Sequence, residues 1–156
     1  MTINYPDTLP VGLHNGRTYQ LESPLQRTSL SSGRARQRRR FTNVPEYASI
    51  SWLFNDAQGQ AFEAWFRDAI TDGAQWFECP LDTPLGFYRQ TVRFTDIYTG
   101  PSRVGPDLWS YSAELEIRQR AVPPTGEGMF PDDIVYSEIF DLTINLEWPL
   151  ATGSLT

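Results

Sequence analysis

Trp109, Tyr111, Ala113, Leu115 and Ile117 alternate without a break with Ser110, Ser112, Glu114, Glu116 and Arg118. A period of two places the two sets on opposite faces of a strand, and their chemistry makes one face buried and the other wet. Such a strand belongs to an antiparallel sheet covered on one side, so the chain is committed to a layered β architecture. Ala48, Ile50, Trp52 and Phe54 repeat the pattern against Tyr47, Ser49, Ser51 and Leu53. Tyr88–Tyr98 reads as a further strand, with Val92 and Phe94 set against Arg89, Thr91 and Arg93. A short strand, Gln75–Cys79, is predicted before a Pro/Gly loop at Pro80–Gly86, and Thr99–Asp107 reads as turn-rich.

One segment has a different period. Ala61, Phe62, Trp65, Phe66, Ala69 and Ile70 recur at i, i+3, i+4 and form a broad apolar stripe. Asn55 or Asp56 can cap the start, Gln58 and Gln60 lie near the third helical position, and Gly73 follows the last turn. A helix over about 56–72 is expected, with a Glu63–Arg67 pair on its flank and a cost of about 1 kcal/mol from Gly59. The expected core is Ile50, Trp52, Phe62, Trp65, Phe66, Ile70, Phe94, Trp109, Leu115 and Ile117.

Both ends read differently from this middle. Residues 1–33 show no periodic element, and Pro6, Pro10, Gly12, Gly16, Pro24 and the run Ser29–Gly33 suggest an extended arm broken by turns. A β-hairpin is expected from Arg34 to Phe54, turning at Asn43-Val44-Pro45-Glu46, with Arg36, Arg38 and Arg40 on one face of its first strand and Gln37, Arg39 and Phe41 on the other. Beyond the break at Val122–Gly128, Ile134–Trp148 alternates over a length unusual for one strand, which suggests a projecting arm or hairpin.

Charge divides the chain in the same place. All 13 cationic residues are arginines, and all lie within residues 1–120 beside 13 acids. The final 36 residues hold six acids and no arginine, so the net charge of −6 resides there. No apolar run approaches the ~18–20 residues of a membrane-spanning helix, and no secretory leader is expected.

Chemistry finds little support. His14 is the single histidine and Cys79 the single cysteine, which excludes an internal disulfide, a Cys-based metal cage and a multi-histidine metal site. His14 reads as an exposed loop residue and Cys79 as a buried structural thiol. Glu114/Glu116 and Asp132-Asp133 are paired carboxylates, with nothing nearby in sequence to raise one of their pKa values. No phosphate loop, HExxH or EF-hand spacing occurs, and no cofactor is expected. The dense cluster Arg34, Arg36, Arg38, Arg39, Arg40 fits a protein interface, solvated salt bridges or a nucleic-acid contact; lack of interleaved aromatics and an acidic pI near 4.7 weigh against the last.

The ordered set Ser32-Gly33-Arg34-Ala35-Arg36-Gln37-Arg38, Gln60–Phe66, Gly73–Pro80, Val92-Arg93-Phe94 and Leu108–Glu116 resembles tail proteins of tailed phages. The likeness, over about 33–120, is to the minor tail protein M family of lambda-like phages and related distal-tail proteins. It implies a mainly β fold, a tail-tube-like β-sandwich with one packed helix; the extended arms read at 1–33 and 121–156 depart from the family pattern. It implies a non-enzymatic virion component, assembled in the host cytoplasm as a ring of its own copies, a hexamer, among neighbouring tail proteins and away from membranes. Arg34, Arg36, Arg38, Arg39, Arg40, Phe140, Leu142, Ile144 and Trp148 are the interface candidates. The alternative is a head–tail connector whose arginine strand contacts the exiting DNA.

Overall fold

A computed structural model describes residues 2–137. The described residues fall into two compact units, divided after Ala121. The first is mainly β, with strands β1 (Ile3–Asn4), β2 (Thr18–Leu21), β3 (Leu25–Ser29), β4 (Ala35–Arg39), β5 (Glu46–Phe54), β6 (Phe77–Thr83), β7 (Gly86–Phe94), β8 (Thr99–Val104) and β9 (Leu108–Ile117), and helix α1 (Asp56–Asp68) between β5 and β6.

The most regular alternation in the sequence becomes the centre of a seven-stranded mixed sheet. Its order is β1-β6-β7-β9-β5-β2, with β8 also paired to β9. β5 accompanies β9 along its length, from Glu46↔Ile117 to Phe54↔Trp109. On the opposite edge β9 is shared: β7 pairs with Leu115–Ile117 and β8 with the part nearer Leu108. Only β1 and β6 run parallel.

The sheet curls until its far strands meet. Tyr19 of β2 faces inward beside Ala48, and its hydroxyl donates to the Asp82 carbonyl of β6 at 2.5 Å. The segment between β1 and β2 spans the gap: the Tyr5 amide donates to the Glu78 carbonyl and the Leu13 amide to that of Ser51. Residues 5–17 are therefore part of the body rather than a free arm, with Tyr5 and Leu9 buried in its core. The expectation of an element-free stretch over 1–33 is corrected. A two-residue strand and isolated apolar anchors leave no periodic trace.

Inside the curl, α1 lays its stripe on the sheet. Phe62 is fully buried among the rings of Trp52, Phe54 and Tyr111, with centroid separations of 5.2–5.6 Å. Phe66 meets Phe94 edge-on at 5.0 Å. Ile50, Trp52, Phe62, Phe66, Ile70, Phe94, Leu115 and Ile117 all lie in the core, joined by Phe77, Cys79, Leu81 and Val92. Trp65 and Trp109 are only half-buried and pack against its margin. Each has a polar or open side: the Trp109 indole N–H donates to Asp56 at 2.6 Å, and Trp65 sits edge-on between Tyr5 and Phe77.

Asn55 caps α1 in a complete capping box: its side chain accepts from the Gln58 amide, and the Gln58 side chain accepts from the Asn55 amide. The helix stops at Asp68, short of the expected Asp72, because Thr71, Asp72 and Gly73 all take positive φ. Gly59 sits where the helix approaches Tyr111 closely. A Cβ there would stand 3.1 Å from the Tyr111 hydroxyl, which donates to Glu63 at 2.9 Å. That contact occupies Glu63, and Arg67 pairs with its neighbour Asp68 in place of the expected Glu63–Arg67 bridge.

Three strand boundaries differ from the alternation. β6 continues through Pro80 to Thr83, where a loop was expected. β1 ends its pairing at Glu78, so the missing N–H of Pro80 faces an unpaired edge. β7 ends at Phe94 rather than Tyr98, and the expected turn region holds β8. β8 is an edge strand with a register shift between Thr99 and Ser102, which accommodates Gly100 and Pro101.

In the second unit, Glu127–Met129 forms a short 3₁₀ turn and residues 131–137 are helical. The expected strand beginning at Ile134 is thereby corrected over its first residues. Pro131 suits the first helical position, and Asp132 and Asp133 complement the positive helix end. Phe140, Leu142, Ile144 and Trp148 lie outside the described residues.

Candidate protein interaction surface

β4 does not pair with β5. It forms a separate two-stranded sheet with β3, in register from Leu25↔Arg39 to Ser29↔Ala35. The expected Arg34–Phe54 hairpin is corrected accordingly, and Asn43–Pro45 is a linker. The reason lies in the side chains: β4 reads Ala-Arg-Gln-Arg-Arg and offers no apolar face with which to cover β5. β3, Leu-Gln-Arg-Thr-Ser, is equally polar and becomes its partner.

The hairpin is built from its turn outward. Leu30–Gly33 closes with the Gly33 amide donating to the Leu30 carbonyl at 3.1 Å, and Gly33 has φ +81, a left-handed conformation that favours glycine. At the base, the Arg40 amide donates to the Pro24 carbonyl and the Glu22 amide to that of Pro45. Register puts Arg36 and Arg38 on one face with Thr28 and Gln26, and Arg27 and Arg39 on the other with Gln37 and Leu25. The Gln26 side-chain oxygen accepts from Nε and Nη2 of Arg38, at 3.3 and 3.0 Å, orienting that guanidinium.

Arg27, Arg34, Arg36, Arg38, Arg39 and Arg40 are all exposed, and no acid occurs between Glu22 and Glu46. None of the six forms an ion pair with another described residue. Arg40 lies 5.2 Å from the centroid of Phe41, which is half exposed, as are Leu25 and Leu30. Sequence reasoning missed Arg27. Its strand is exposed on both faces and carries no periodicity; the signal available was the equal polarity of 25–29 and 35–39.

Other ionisable groups serve the body. Arg93 pairs with Glu116 at 2.6 Å and covers the Trp76 ring at 4.6 Å, while Glu114 accepts from the Thr95 hydroxyl. These contacts separate Glu114 and Glu116 into structural roles. His14 is exposed, with Nδ1 3.0 Å from the Asp82 carboxylate. Burial pushes the Cys79 thiol up to about 12, so it is held as an unreactive thiol at neutral pH. Among the described residues, no cluster of His, Cys, Asp and Glu has metal-holding geometry. No described helix is long and apolar enough to cross a membrane.

No family model matches the chain, and no curated protein matches it in sequence. Its fold is similar to that of a chain in a solved structure described as "Virion of native gene transfer agent (GTA) particle". The two share 14% identity with a TM-score of 0.50, over 76% of this chain and 97% of the other. At that identity the likeness is one of fold.

Proposed function

We propose that this chain is a non-enzymatic structural component of a phage-like virion, a ring of its own copies at a tail station such as the distal ring, hub or tube end. The observation that carries the reading is the likeness in fold to a chain of a gene transfer agent virion, spanning nearly all of that chain. The arginine hairpin supports it from another direction. Two-stranded hairpins alone are marginal in water, and this one adds nothing to the core, so its use is in contact with something else. In this reading the body, about 34–120 with the closing segment before it, is the tail-protein domain. The hairpin arginines and the chain after Arg120 are its interface parts, and assembly takes place in the host cytoplasm.

The connector reading rests on a specific feature: six exposed arginines without carboxylate partners among the described residues. Phosphate attracts such a cluster, yet the hairpin has only Phe41 as an aromatic for stacking. Light scattering coupled to size-exclusion chromatography separates the two. A defined oligomer, a hexamer in the simplest case, is expected. A monomer at every concentration, with salt-sensitive DNA binding, would transfer support to the connector.

A further inference from the structure

The hairpin and the chain after Arg120 are opposites in composition. Residues 23–45 hold six arginines and no acid; residues 121–156 hold six acids and no arginine. Elsewhere in the molecule Arg67, Arg89, Arg93 and Arg120 each have a carboxylate partner, and Arg17 and Arg103 donate to backbone carbonyls. Glu127, Asp132 and Asp133 are exposed and form no ion pair among the described residues.

The match extends to apolar groups. Phe130, Asp133, Ile134 and Ser137 follow i, i+3, i+4, i+7 along the turn and helix and, with Glu127, line one hollow. Met129, Phe130, Val135 and Tyr136 are exposed beside the carboxylates, as Leu25, Leu30 and Phe41 are beside the arginines. Arginine's planar fork binds carboxylates with two parallel hydrogen bonds, and adjacent apolar area excludes water from them.

We propose that the arginine hairpin is the docking surface for the acidic segment following Arg120 of a neighbouring copy of this chain. Symmetry favours a second copy as the occupant. An all-cationic hairpin repels its own twin, so a two-fold contact through it is disfavoured. Two different and complementary patches on one chain instead give head-to-tail contacts, which form a ring where the rotation between copies closes. A DNA partner would leave the acidic segment idle and be repelled by it. The inference rests on the ring reading above and names the contact that makes the ring.

Full-length charge reversals test it. One variant carries Arg36→Glu, Arg38→Glu and Arg40→Glu; the other carries Glu127→Arg, Asp132→Arg and Asp133→Arg; circular dichroism checks that each folds. Light scattering at low salt should show each alone needing at least tenfold more protein to assemble than the native chain. Their equimolar mixture should recover assembly, because each then offers the other an opposite charge. The combined six-substitution chain should also assemble. If both variants assemble as the native chain does, the inference is overturned while the ring reading stands. If the combined chain recovers but the mixture does not, the contact lies within one chain and the inference is overturned. Loss confined to the hairpin variant, together with loss of binding to a short DNA duplex, overturns it in favour of nucleic acid. A native chain that stays monomeric at all concentrations defeats the ring reading itself.

Discussion

Strands β4 and β5 are neighbours in the chain and contrary in every property that fixes where a strand goes. β5 buries Ala48, Ile50, Trp52 and Phe54 to 2% exposure or less, and both its edges are paired, by β9 and β2. β4 buries none of its residues and has one partner, equally exposed. Burial of apolar area gives β5 its position, and it tolerates little change. β4 has only ladder hydrogen bonds and turn geometry to hold it, which leaves its side chains free of any packing role and available for the recognition proposed above. The division of labour runs along the chain rather than between domains.

That division is open to attack from both sides. Phe62→Ala removes a fully buried ring surrounded by Trp52, Phe54, Phe66, Tyr98 and Tyr111, and should cost about 3–5 kcal/mol. Denaturant titration monitored by tryptophan fluorescence measures it; an unchanged midpoint would mean that α1 is not seated as described. Trp65→Ala, on the half-buried margin, should cost less than Phe62→Ala in the same assay.

Alkaline titration probes the interior more gently. Burial raises the pKa of Cys79 to about 12 and also raises those of Tyr5, Tyr19, Tyr98 and Tyr111. Each contribution is fully present below the unfolded pKa and is lost as pH rises toward the folded value, because the unfolded chain gives up those protons first. Thermal midpoints should therefore hold through neutral pH and fall progressively from about pH 9. The hairpin has no cysteine or tyrosine and contributes nothing to this loss. A flat profile to pH 11 would contradict the burial of these groups.

Asn55→Ala should cost about 1 kcal/mol by breaking the capping box, read as a small shift of the denaturation midpoint. The smallest effect on stability belongs to the hairpin. Arg36→Ser, Arg38→Ser and Arg40→Ser together should move the body's stability by no more than about 0.5 kcal/mol while abolishing assembly. A large loss of stability in that variant would erase the contrast between β4 and β5.

What was legible in the sequence follows the same line. β5, β9 and α1 each bury one face, so their apolar residues keep the period of their backbone, and their ends fall within a few residues of expectation. β3 and β4 are wet on both faces; nothing in their pattern distinguishes pairing with each other from pairing with β5, and Arg27 went unnoticed. β8 was hidden by Gly100 and Pro101, which signal a turn and are accommodated in an irregular edge strand. β1 is two residues long, too short for any periodicity. The arginine cluster itself was plain from composition. Its isolation from the core was not, since that depends on which strand takes the second edge of β5, and β2 does so with Tyr19 reaching Asp82.

Between Leu21 and Glu46, which pair directly as the last rungs of β2 and β5, the chain leaves the body and returns to the same spot. Glu22 and Pro45 clasp the neck of this excursion with a backbone hydrogen bond. No residue beyond the clasp belongs to the buried core, so changes there leave the packed interior untouched. If the excursion carries the contact proposed above, a lineage inherits scaffold and specificity as separable traits, and selection for a new neighbour can act on some twenty codons while the aromatic interior is left alone.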